Sequence, residues 1–149
     1  MKKILILLLS ILVFATGCTT KKVDGDNFKT YMEKKGFKIY DLNKQYDGEL
    51  VSSAILASNE ENGYDIEFLI FKSDDYAKNA FQANRTAFRE LKKSDDKENS
   101  VSEEKTSKYY LTTKDTYYVI SRKNNTLVYA ICDGSYKKDV NKILKDLGY

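Results

Sequence analysis

A chain of 149 residues with no histidine lacks the side chain most often used as general base and metal ligand. Its 25 basic and 22 acidic residues give a formal charge of +3, and two of the lysines, Lys2 and Lys3, sit ahead of the only long apolar run. The remainder is nearly balanced, so there is no concentrated basic face of the kind a nucleic-acid partner needs, and no such partner is expected.

The chain opens in three parts. Lys2 and Lys3 give a positive start, Ile4 to Phe14 is apolar except for Ser10, and Ala15-Thr16-Gly17 is a small-residue tail. This is the order of a secretory signal. As a helix, Ile4 to Gly17 would reach about 21 Å against a hydrocarbon core of roughly 30 Å. It is too short to span comfortably, so residues 1–17 are expected to be a cleaved signal peptide.

Ala15-Thr16-Gly17-Cys18 resembles the lipobox of bacterial lipoproteins. In that family the cysteine after the small residue receives a diacylglyceryl group. The position three before the cysteine, where leucine is favoured, is Ala15 here. The resemblance implies lipidation at Cys18 and anchoring to the cell membrane on its extracytoplasmic face. Two acyl chains hold a protein stably where one holds it only marginally, at about 0.8 kcal/mol per buried methylene. Residues 18–26 would be the lipidated cysteine and a polar tether, and residues 27–149 one globular domain. That domain is similar to the many small lipoproteins of low-GC bacteria whose role is unassigned.

In the domain, Phe28, Tyr31, Met32 and Lys35 fall at helical spacing, with Asp26 as a cap and Gly36 as a stop. "FKIYDL", "ELVSSAILAS" and "GYDIEFLIF" read as strands; in the third, Tyr64, Ile66, Phe68 and Ile70 alternate with Asp65, Glu67, Leu69 and Phe71. The spacing predicts the longest helix over 74–93, with a stripe of Ala77, Ala80, Phe81, Ala87, Phe88 and Leu91. "KSDDKENSVSEEKTS" (93–107) is nearly free of apolar residues and reads as a mobile polar loop. Three more strands follow, "KYYLTT", "TYYVISR" and "TLVYAICD", the last two joined by a turn at Asn124-Asn125. A final helix carries Tyr136, Val140, Ile143, Leu144 and Leu147. The expectation is an α+β fold in αβββ-αβββ-α order, with one antiparallel sheet of about six strands. Its helices would pack on one face, leaving the reverse face partly open.

Candidate chemistry is sparse. Cys132, in an apolar strand, reads as a buried structural thiol, and with Cys18 lipidated no internal disulfide can form. Serine–lysine pairs with the S-x-x-K spacing of penicillin-recognising enzymes occur at Ser94/Lys97, Ser102/Lys105 and Ser135/Lys138. The first two lie in the polar segment, and Ser135 reads more simply as a helix cap. Asp65 and Glu67 share one face of a strand and could accept from a basic ligand or hold a hard cation, but read as solvent-facing charges opposite Ile66 and Phe68. No metal or cofactor is expected. The tyrosines stand out: Tyr109, Tyr110, Tyr117 and Tyr118 on neighbouring strands, with Arg122, could form a recognition surface. The reading is a non-catalytic binding or accessory module, joined to the membrane by its lipid and recognising an envelope protein partner. The alternative is an envelope enzyme using carboxylate or Ser–Lys chemistry.

Overall fold

The computed structural model describes residues 23–149; the expected signal peptide and Cys18 lie outside them. Helix α1 (Gly25–Lys34) starts earlier than the sequence suggests. Asp24, not Asp26, is its cap, accepting from the Asn27 N–H at 2.8 Å, and Asp26 sits in the first turn, where a carboxylate suits the helix dipole. Gly36 ends the turn at φ +84°. Then come β1 (Lys38–Asp41), a single 3-10 turn (Asn43–Gln45), β2 (Val51–Asn59) and β3 (Tyr64–Phe71). Helix α2 (Asp74–Glu90) is capped by Ser73, whose side chain accepts from the Tyr76 N–H.

The chain then forms four strands, β4 (Lys97–Ser102), β5 (Thr106–Thr112), β6 (Thr116–Lys123) and β7 (Thr126–Asp133), and ends in α3 (Lys137–Asp146). Between β6 and β7, Asn124 takes φ +51°, as asparagine in a tight hairpin can. The polar segment expected to be a mobile loop therefore contains β4. Every residue of β4 is exposed, yet it pairs in register with β5 from Lys97↔Thr112 to Ser102↔Ser107. An edge strand open on both sides needs no apolar residue, and its charges discourage pairing with another chain.

All strands are antiparallel in one seven-stranded sheet of order β1-β2-β3-β7-β6-β5-β4. Two meanders, β1–β3 and β4–β7, meet where their last strands pair, β3 on β7. The element order is αβββ-αββββ-α, and the α+β antiparallel class holds with one strand more than expected.

The helices do not share a face. Phe28 and Met32 of α1 and Val140, Ile143 and Leu144 of α3 cover Ile66, Phe68, Val119, Val128 and Ala130. On the other side, Ala77, Phe81 and Phe88 of α2 cover Leu69, Ile120, Leu111 and Leu127. The central strands explain the correction. The α2-facing residues of β3 include Leu69 and Phe71, so that face too has apolar area to remove from water. Coverage by one helix is partial: Tyr40 and Ile131 remain exposed large apolar side chains.

Candidate functional site

Alternation along β5 and β6 sends the singled-out tyrosines to opposite sides of the sheet. Tyr109 is buried on the α2 side and donates to Glu98 Oε2 at 3.0 Å, with the Arg85 guanidinium 5.9 Å from its ring centre. Tyr117 is buried on the α3 side and donates to Asn141 Oδ1 at 2.9 Å. Tyr110 is half-buried beside it, and the Lys137 ammonium stands 5.6 Å and 5.2 Å from the two ring centres. Tyr118 is half-buried against Phe88, ring centres 5.3 Å apart.

Arg122, expected on the surface, is only 3% exposed. Its guanidinium donates to the carbonyls of Asn124 (3.2 Å) and Glu104 (3.0 Å). It thereby ties the β6–β7 turn to the β4–β5 turn. The five residues thus form no single surface: Tyr109, Tyr117 and Arg122 belong to the interior, where large amphipathic side chains gain most by burying their bodies and satisfying their polar tips.

The carboxylate pair on β3 departs from expectation in the opposite sense. Asp65 is exposed, but Glu67 is only 6% exposed. In register, Glu67 lies between Leu56 of β2 and Tyr129 of β7. The Tyr129 hydroxyl donates to Oε2 at 2.6 Å and the Tyr46 hydroxyl donates to Oε1. Tyr46 arrives from the far end of the 3-10 turn that links β1 to β2. Burial, and then the neighbouring Glu67 charge, push both phenols well above their usual range. They stay protonated and donate. Glu67 forms no ion pair among the described residues.

This cluster floors a shallow pocket of about 270 Å³ on the part of the sheet that α2 leaves uncovered, lined by Leu56, Tyr64, Asp65, Glu67, Tyr129 and Ile131. Ile131, 45% exposed, gives it an apolar wall, and Asp65 puts a second carboxylate two residues along the same strand face. The arrangement accepts hydrogen bonds and attracts positive charge. Its lining includes no lysine among the described residues. Among the described residues no group of three or more potential metal ligands comes together.

Two of the three serines from the Ser–Lys pairs make side-chain hydrogen bonds to groups other than lysine. Ser135 donates to Asp133 Oδ1 at 2.6 Å, and it is Asp133 rather than Ser135 that caps the turn before α3. Ser102 hydrogen-bonds Ser107 across the β4–β5 pair. Cys132 is free and buried, its thiol pushed up to about 11 by burial and by Asp133.

Tyr46 and Tyr129 were not legible as partners of Glu67. The available signal was that Glu67, in the strand "GYDIEFLIF", shares its face with the apolar Leu69 and Phe71 as well as with Asp65. Comparison with family models, curated proteins and solved structures finds no match to this chain.

Proposed function

We propose that this chain is a lipid-anchored, extracytoplasmic binding module that accepts a lysine or arginine side chain of an envelope protein in the pocket floored by Glu67. The observation that carries the reading is a buried carboxylate held by two tyrosine hydroxyls and met by no cation among the described residues. Such a charge loses hydration on folding, and an incoming cation would offset that loss. Asp65 at the rim adds long-range attraction, and Ile131 and Tyr40 supply apolar contact beside it, a polar-and-apolar mixture usual for protein interfaces. The anchor rests on Ala15-Thr16-Gly17-Cys18 after the apolar run. No catalytic step is assigned.

Two measurements test this. With the anchor in place, a photocrosslinker at Ile131 in intact cells should join one recurrent envelope protein, and Glu67→Gln should abolish that product. Random neighbours at the level of an unrelated lipoprotein, or a product indifferent to Glu67→Gln, would defeat the binding assignment. Separately, a labelled fatty acid fed to the cells should be incorporated into the parent chain and not into Cys18→Ser; no label in the parent, or equal label in both, would defeat the anchor.

A further inference from the structure

A second site lies on the other side of the sheet. Helix α3 stops at Asp146, and Gly148 (φ +86°) turns the chain so that the Tyr149 N–H donates to the Leu144 carbonyl at 2.8 Å. Tyr149 then caps the apolar layer, its hydroxyl bonded to Thr126 Oγ1. The sheet runs on past this point. Ser121 of β6, Lys108 of β5 and Val101 of β4 stand directly opposite one another in one row across three strands. Together with Thr106, Lys123 and Tyr149 they line a groove of about 300 Å³, at the small end of the range for small-molecule sites.

Among the described residues, two that line this groove keep a buried polar atom without a hydrogen-bond partner, Ser121 at Oγ and Arg122 at Nε; the other nitrogens of Arg122 are bonded to the Asn124 and Glu104 carbonyls. Ser121 is 2% exposed and its Oγ has no hydrogen-bond partner among the described residues. Buried hydroxyls without partners are uncommon and point to a missing group. Lys108 is half-buried and makes no ion pair among the described residues. Burial lowers the pKa of its ammonium, with no carboxylate opposing the shift. Lys123, by contrast, is occupied, donating to the Gly148 carbonyl at 3.2 Å. Among the described residues no acidic side chain lines the groove, and most of its open surface is apolar, with Val101 and Tyr149 in the lining beside Thr106, Ser107 and Arg122.

We infer that this groove binds a small amphipathic monocarboxylate, its carboxylate on Lys108 Nζ and Ser121 Oγ and its hydrocarbon part along Val101 and Tyr149. One unpaired ammonium and one hydroxyl match a monoanion with two acceptor oxygens. A phosphate dianion would ask for more donors. The apolar walls ask for a hydrocarbon body. The site is independent of Glu67, which lies on the opposite face of the sheet.

The test is lysine reactivity on the full anchored chain, with hexanoate as the probe. Acetic anhydride labels neutral amines, and mass spectrometry of peptides reads each lysine separately. Hexanoate should slow labelling of Lys108 several-fold while Lys29 and Lys78 are unaffected, and hexan-1-ol should not. In Ser121→Val the hexanoate concentration needed should rise about tenfold, the loss expected for one hydrogen bond to a charged group, with the other lysines labelling as in the parent. Equal Lys108 labelling with and without hexanoate would overturn the site. Equal protection by hexan-1-ol would overturn the assignment to a carboxylate, and that comparison needs no variant.

Discussion

The Tyr109 hydroxyl and the Glu98 carboxylate meet at 3.0 Å, joining a buried ring on β5 to the edge strand β4. Lys92, just past the end of α2, donates to the other oxygen of Glu98 at 3.0 Å, and Arg89 lies 3.7 Å away. Glu98 is thus the side chain through which an otherwise exposed strand is held to the α2 layer.

That pairing gives β4 a pH dependence. The Lys92 hydrogen bond first, and the Tyr109 hydroxyl second, hold the Glu98 carboxyl below its ordinary range. A carboxyl depressed in the folded state contributes stability that is present above its unfolded pKa and lost as pH falls through the folded one. Hydrogen exchange of the β4 amides should therefore accelerate as pH drops below the ordinary carboxylate range, after correction for intrinsic rates, while β3 and β7 stay protected. Glu98→Ala should produce the same local loosening at neutral pH. Unchanged β4 protection in that variant would refute the role.

Tyr129→Phe removes the 2.6 Å donor to Glu67 Oε2 and leaves a buried carboxylate oxygen unsatisfied. The expected cost is about 1–3 kcal/mol, read as a lower denaturation midpoint at unchanged slope. Tyr46→Phe strips the other oxygen of the same carboxylate, so the two losses should not add. Strict additivity in a double-mutant cycle would mean that the two phenols do not share Glu67.

Phe28 is fully buried and stacks on Phe68, ring centres 4.8 Å apart and 15° from parallel. Phe28→Ala should cost about 3–5 kcal/mol, the range for a buried aromatic removed without collapse of its site. With Met32, the ring accounts for the buried side chains of α1, so exchange in α1 should rise most. A loss under about 1 kcal/mol would show that α1 is peripheral to the core.

With its thiol at about 11, Cys132 carries little thiolate at neutral pH, and burial blocks access besides. Iodoacetamide should modify it slowly in the folded chain and readily in denaturant, as followed by intact mass. Rapid modification of the folded chain would overturn its reading as an inert structural thiol.

Much of this architecture follows from local pattern. Alternation in "GYDIEFLIF", the α2 stripe through Ala77, Phe81 and Phe88, and the Asn124-Asn125 turn each concern residues adjacent in the chain or one helical turn apart. Their physics is short-range, so those elements and the α+β class they build are legible along the chain. Strand β4 escaped because its stability comes from pairing with β5 and not from an apolar pattern of its own. Which side of the sheet α2 would cover also has no local signature, since β3 is apolar on both faces and either could have been buried by any helix. The candidate site is the strongest case. Glu67 reads as a solvent-facing charge until Tyr46 and Tyr129, 21 and 62 residues away, close over it. That outcome emerges at the level of the folded chain, because burial of a carboxylate depends on donors that strand pairing and chain turning bring together, and sequence spacing does not encode their meeting.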